Sequence, residues 1–209
     1  MAIHQYFDRE PAVSSPTSEW WRRLPVLEGP RVTLRELNVR DAASLLKHLS
    51  GSNVHRYVTR PPSTLDAVKD FIRWTRRVRQ QRRYIVYGVI PAGHTEPVGV
   101  MQIWKVESDF SVAECGFVLG EAFWGQGLFV ESARLLLGFA FETLGVHRVE
   151  ARVVDVNTQA QTVLKKIGAT REARLRESFK DGDTYRDHIL WALTAGDWAA
   201  RPAAERKAH

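Results

Sequence analysis

The first regular pattern in the chain is the alternation of polar and apolar side chains at Arg31-Val-Thr-Leu-Arg35, the two-residue period of a half-buried strand. Asn38 through Asp41 then offer helix-capping side chains, and Ala42, Leu45, Leu46 and Leu49 follow at helical spacing. Gly51-Ser52-Asn53 breaks that helix, and Pro61-Pro62 opens a loop. A second helix is predicted from Thr64 to Gln81. Leu65, Val68, Phe71, Ile72, Thr75 and Val78 form its apolar face, with Lys69, Arg73, Arg76, Arg77 and Arg79 placed around the rest.

Three strand-like stretches come next, Tyr84–Ile90, Val98–Val106 and Ser111–Leu119. Turns at Ala92-Gly93-His94 and Ser108-Asp109 separate them, so they read as an antiparallel meander. From Gly127 to Thr143 the chain is apolar on nearly every side, which predicts a buried helix. A strand at Arg148–Val154 and a helix from Thr158 to Ile167, ended by Gly168, follow. Strands at Arg171–Phe179 and Tyr185–Leu193 flank the hairpin turn at Lys180-Asp181-Gly182-Asp183. The order β-α-α-β-β-β-α-β-α-β-β implies an α+β domain, a mixed sheet with helices on both faces. Residues 1–29 read as an irregular extension pinned by Trp20 and Trp21, 30–198 as the domain, and 199–209 as a frayed tail.

Composition narrows the function classes. The 209 residues, 44% hydrophobic and 26% charged, suit one globular domain with short tails. No apolar run approaches the roughly 20 residues of a membrane span, and the N-terminus lacks a signal peptide's apolar segment. No membrane partner and a cytoplasmic location are therefore expected. Cys115, the only cysteine, rules out an intrachain disulfide and a Cys-rich metal site, and the seven histidines lack ligand spacing, so no metal is expected. The formal charge of +6 suits either nucleic acid or a polyanionic cofactor.

The chemistry concentrates in Glu114-Cys-Gly-Phe-Val-Leu-Gly-Glu-Ala-Phe-Trp-Gly-Gln-Gly-Leu-Phe-Val-Glu-Ser132, a strand, a two-glycine loop and a helix start. Such glycines let backbone N–H groups converge with those of the helix N-terminus on an anion such as pyrophosphate. Neither the Gly-Lys-Ser/Thr ending of a P-loop nor the third glycine of a dinucleotide fingerprint is present.

In these residues the chain resembles the GNAT superfamily of N-acetyltransferases, specifically its ribosomal-protein N-terminal acetyltransferase branch (RimJ/RimL type). The resemblance runs from about Pro30 to Trp198 through four ordered segments. These are Arg31–Leu37 with Asp41-Ala42, Glu114–Leu119 with Trp124–Gly127 and Glu131, Asn157 through Gly168, and Tyr185-x-Asp187 with Asp197-Trp198. It implies a central, mostly antiparallel sheet of about seven strands with the cofactor in a splay between the fourth and fifth. It also implies acetyl-CoA as co-substrate and direct attack by a primary amine in a ternary complex. The implied cofactor contacts are Phe117, Val118 and Leu119 on the strand, Trp124, Gly125, Gln126, Gly127, Leu128 and Phe129 in the loop, and Asn157 and Lys166 beyond. Phe129 stands where the family has a small residue.

A protonated amine cannot attack a thioester, so a base must take its proton. Glu114, on the cofactor strand, is the candidate the resemblance offers. The family's usual proton donors are replaced by Leu164 and Ala160, leaving water, thiolate departure or Tyr185. Tyr57, Trp74, Phe179, Tyr185 and Asp187 lie in segments that wall the acceptor pocket in such enzymes. The acceptor is a protein N-terminus or a small amine, aminoglycoside- or polyamine-like. Two further readings stay open, a ribosome- or nucleic-acid-binding module on the basic helix 69–83, and an acyl-CoA binder without turnover. A homodimer is also open.

Overall fold

An eight-stranded sheet ordered β1-β2-β3-β4-β5-β6-β8-β7 organises the computed structural model, which describes residues 19–57 and 62–202. Residues 1–18, Pro61 and residues 203–209, on which parts of the extension, loop and tail expectations fall, lie outside the described residues. The chain enters through β1 (Leu27–Glu28) and β2 (Val32–Glu36), then α1 (Ala42–Leu49), α2 (Ser52–His55) and α3 (Leu65–Gln80). The meander is β3 (Tyr84–Pro91), β4 (Gly99–Lys105) and β5 (Val112–Leu119), followed by α4 (Leu128–Gly138) and β6 (Arg148–Val154). Helix α5 (Thr158–Lys166), the hairpin β7 (Thr170–Asp181) and β8 (Thr184–Thr194), and α6 (Ala195–Ala199) complete it. No helix among the described residues is long and apolar enough to cross a membrane.

Helices cover both faces, as the periodicity predicts. Leu34, Tyr87, Ile103, Ala113, Val149 and Trp191 join Leu136, Phe139 and Leu164 in a large core under α4 and α5. On the other face, Leu37, Val86 and Val100 meet Leu45, Val68 and Ile72 of α1 and α3. Alternate strand residues thus feed two cores, the expected outcome for a sheet buried on both sides.

The structure adds the short helices α2 and α6 to the expected elements and departs from the sequence expectation in three further places. Leu27–Glu28, read as part of the irregular extension, pairs with Leu34 and Thr33 as an eighth, edge strand. Its two residues carry too little alternation to signal a strand. The helix predicted through Thr143 stops at Gly138, and a π-turn covers Phe139–Thr143, closed by Leu144 N–H on the Phe139 carbonyl at 3.0 Å. The wide turn keeps Phe139 and Ala140 buried together. Arg79 is not on the solvent face of α3 but 5% exposed. It sits seven residues after Ile72 and four after Thr75, on the apolar stripe. Its guanidinium pairs with Glu36 at 2.9 Å and donates to the carbonyls of Trp20 and Trp21. A buried charge is tolerable only when so satisfied. Lys69 and Arg73 pair with Asp66 and Asp70 on the same helix, which leaves α3 far less basic toward a partner than its composition suggests.

Glu131, in the first turn of α4, ties that helix to the start of β2. Its carboxylate accepts from the N–H groups of Arg31 at 2.7 Å and Val32 at 3.1 Å, and from Arg31 Nε at 2.9 Å. Glu131→Ala would orphan those donors, and we expect a loss of about 2–4 kcal/mol in urea unfolding. Glu131→Gln, which keeps one carbonyl acceptor, should lose roughly half as much. Equal stability of the alanine variant and wild type would contradict this clamp.

Candidate active site

Strands β5 and β6 begin as parallel neighbours, Val112 opposite Arg148, Ala113 opposite Val149 and Glu114 opposite Glu150. There the pairing ends. β5 stays zipped to β4 as far as Leu119 opposite Gly99, and β6 to β8 as far as Val154 opposite His188, so the two halves of the sheet diverge. Backbone direction alternates along a strand. Val112 accepts from Val106 N–H and Gly120 N–H donates to Val98, both toward β4. The backbones of Gly116 and Val118 therefore also face β4, while those of Cys115, Phe117 and Leu119 face the gap. The Leu119 carbonyl is taken by the Trp124 indole N–H at 2.7 Å. Of the three residues expected to bind through their backbone, Phe117 and Leu119 are so placed. Val118 is not, because its N–H lies on the β4 side, and it contributes only a wall.

The loop after β5 turns through Gly125 and Gly127, at φ 73° and 76°, a region costly for any residue with a Cβ. Arg31 Nη1 donates to the Gln126 carbonyl at 3.2 Å. Because a trans peptide is planar, that contact aims the Gly127 N–H the opposite way. Among the described residues, none of the N–H groups from Gly125 through Val130 has a protein acceptor. Such a row of uncommitted donors at a helix N-terminus fits a pyrophosphate. Phe129, the residue out of keeping with the family, turns its side chain onto Phe117, centroids 4.1 Å apart, and leaves the backbone donors free.

A cleft of about 720 Å³ runs from this loop through the splay to the opposite face of the sheet. It gathers Phe117, Val118, Leu119, Trp124, Gly125, Gly127, Phe129, Asn157, Lys166 and Tyr57 of the residues singled out from sequence. Asn157 also caps α5, accepting from Ala160 N–H at 3.0 Å. Gln126 and Leu128 stand outside the lining: the Gln126 amide donates to Ala122, and Leu128 is buried in the core. Trp74 is held in a row of rings with Phe71, Tyr84 and Trp104. Phe179 packs on His188, Tyr185 is 60% exposed, and Asp187 clasps Arg174 and the Glu177 N–H across the hairpin.

Glu114 sits at the closed end of the splay, at the last paired position, with its side chain 14% exposed. Burial raises its pKa, the Arg152 guanidinium 3.8 Å away lowers it, and Glu150 raises it. Cys115 lines the gap, but burial pushes its thiol up to about 12, so it stays protonated and a poor nucleophile. Leu164 and Ala160 are buried and offer no proton.

Sequence reasoning missed Gln102, Trp104, Arg152 and His188, which line the cleft on the α1/α3 side. Gln102 and Trp104 stand opposite Gly116 and Glu114. A Cβ on Gly116 would lie 3.1 Å from the Trp104 ring, so glycine there gives the indole its place over the strand. The signal was register: once β4 is paired with β5, the two-residue period puts these side chains beside Glu114.

The comparisons with known proteins agree with this geometry. Residues 31–170 match the family described as Acetyltransferase (GNAT) domain. An uncharacterized N-acetyltransferase of Bacillus licheniformis is 25% identical over 170 residues, 81% of this chain and 96% of its own. The ribosomal protein uS5-alanine N-acetyltransferase of Escherichia coli K12 is 26% identical over 113 residues, 54% of this chain and 58% of its own. The Mycobacterium smegmatis RimJ structure, solved with CoA-disulfide, superposes with a TM-score of 0.77 at 23% identity, covering 87% of this chain and 89% of that one. A divided sheet, a glycine loop ahead of a buried helix and a family match over most of the domain lead to one assignment: the chain belongs to the GNAT acetyltransferase family.

Proposed function

We propose that the protein transfers the acetyl group of acetyl-CoA to a primary amine in a ternary complex, with a peptide N-terminus as the acceptor. The observation that carries this reading is the row of uncommitted N–H groups from Gly125 to Val130, which opens into the splay; Glu114 stands at the closed end of that splay, outside the residues that line the cleft. Acetyl-CoA supplies an activated thioester. The loop N–H groups and Lys166 would hold its phosphates, and the gap-facing N–H groups of Phe117 and Leu119 its pantetheine arm. An N–H aimed into the gap can stabilise the charge that develops on a carbonyl oxygen under attack. Glu114 takes the amine proton, directly or through water. With Leu164 and Ala160 at the usual donor positions, solvent protonates the departing thiolate.

The uS5-alanine N-acetyltransferase among the relatives supports a peptide acceptor. The module reading built on α3 loses ground, since Arg79 is buried and Lys69 and Arg73 are paired within the helix.

Calorimetric titration tests the cofactor. One acetyl-CoA per chain and no ATP binding are expected, and absence of acetyl-CoA binding by folded protein would remove the reading. Two glycine variants locate the site. Gly127→Ala meets both a left-handed backbone, about 1–2 kcal/mol of strain, and the Arg31 guanidinium 3.1 Å from the new Cβ. Gly125→Ala carries similar strain but finds open space. Affinity should fall more for Gly127→Ala than for Gly125→Ala.

Glu114→Gln should lower kcat by about 100-fold or more while acetyl-CoA still binds. The sign of the pH effect follows from burial. The Glu114 pKa is raised above the ordinary carboxylate value, so activity is present above the raised pKa and lost as pH falls through it. That acidic limb should be absent from the residual activity of Glu114→Gln. A limb unchanged in the variant would assign the base elsewhere.

A further inference from the structure

Most arginines on the face of the sheet opposite α4 are held by carboxylates. Arg148 is paired with Glu150 and Glu172, and Arg186 with Asp181. Arg152 is different. It lines the cleft, its side chain is 46% exposed, and among the described residues it makes no hydrogen bond. The Glu114 carboxylate oxygen lies 3.8 Å from its Nε, beyond hydrogen-bond reach. A planar fork of donors therefore stands on the acceptor side of the splay without an acceptor.

His188 lines the same wall. Its Nδ1 meets Ser178 Oγ at 2.8 Å, and the Phe179 ring packs against it with centroids 5.5 Å apart, so the imidazole is held in place. Burial and the charge of Arg152 lower its pKa, which brings the two side chains into one electrostatic neighbourhood. No Asp or Glu is among the described residues that line the cleft. Glu114 is withdrawn to its closed end, Glu150 is engaged by Arg148, and Asp155, which also acts on His188, is turned to Arg174. A polycationic acceptor would meet Arg152 here and find no carboxylate to pair with its extra charges.

We infer that the acceptor carries a carboxylate close to its reacting amine, and that Arg152 binds this group with His188 beside it. In a peptide acceptor that carboxylate is an Asp or Glu side chain in the first two positions. An Arg fork matches a carboxylate bidentately, and such a charge-assisted pair is worth more than a neutral contact. The inference rests on the acetyl-transfer reading and adds to it the chemical class of acceptor.

The test measures CoA release with three peptides identical except for Asp, Asn or Lys at the second position. Wild type should use the Asp peptide at least about ten-fold more efficiently than the Asn peptide, mainly through KM. Arg152→Gln should lose that preference, and Arg152→Glu should turn it toward the Lys peptide. Acetyl-CoA titration of each variant shows that it is folded. Equal use of the Asp and Asn peptides by wild type, or an acid preference that survives in Arg152→Glu, would overturn the inference while leaving acetyl transfer standing. Acetyl-CoA binding with no release on any peptide would instead remove peptide acetyl transfer, and this inference with it.

Discussion

The candidate site depends on a ladder of hydrogen bonds that stops. β5 and β6 pair as far as Glu114 and Glu150, and no further. A strand interior with unpaired N–H and C=O groups is normally a liability. Here the liability is confined to one gap whose two sides are each secured by another neighbour, β4 on one and β8 on the other. The backbone facing the gap is thus rigid and uncommitted at once, the combination an oxyanion-type site requires, because donors that need not reorganise stabilise developing charge best.

The same logic governs the glycine loop. Uncommitted N–H groups are useful only if their directions are set, and glycine by itself sets nothing. Arg31 supplies the direction by drawing the Gln126 carbonyl to one side, and Glu131 fixes Arg31 through its side chain and backbone. The loop is therefore anchored to a residue far upstream at the beginning of β2. A Cβ on Gly29 would come 2.6 Å from the Glu131 carboxylate, so the chain just before β2 is shaped by the same clamp. Loop conformation and edge-strand docking become one cooperative unit.

What was legible in the sequence follows from where the information lies. Helix α3 could be bounded almost to the residue because Thr64 caps it and its apolar stripe persists to Val78. β6 could be bounded because alternation and flanking turns agree. The glycine loop was legible because positive φ selects glycine. Contacts between distant segments were not. Arg79 looks like a solvated cation until the chain near Trp20 and Trp21 is laid over it. Asp187 could be placed near an acceptor or near an arginine, and the hairpin gives it Arg174. Trp104 and Arg152 carry no motif, and they join the site only through the register of β4 on β5 and the divergence of β6. Aromatic and basic residues on an alternating strand read as exposed face until the sheet is assembled.

In the proposed reaction Glu114 has to balance opposed demands. A base must be ionised before it can accept a proton, yet a carboxylate too comfortable as an anion accepts none. Burial at the closed end of the splay raises its proton affinity, Glu150 on the neighbouring strand raises it again, and Arg152 restrains the rise. Full pairing with Arg152 would lower its pKa further, and without Arg152 burial and Glu150 would raise it unopposed. The 3.8 Å separation lies between those limits. It also leaves the guanidinium donors of Arg152 uncommitted, so an anionic acceptor that engaged them would draw on the same positive charge that lowers the pKa of Glu114. A carboxylate bound there would raise the basicity of Glu114 at the moment an amine stands beside it. In the proposed reaction, acceptor binding and proton removal would be coupled through one arginine, and a purely cationic acceptor would forgo that coupling.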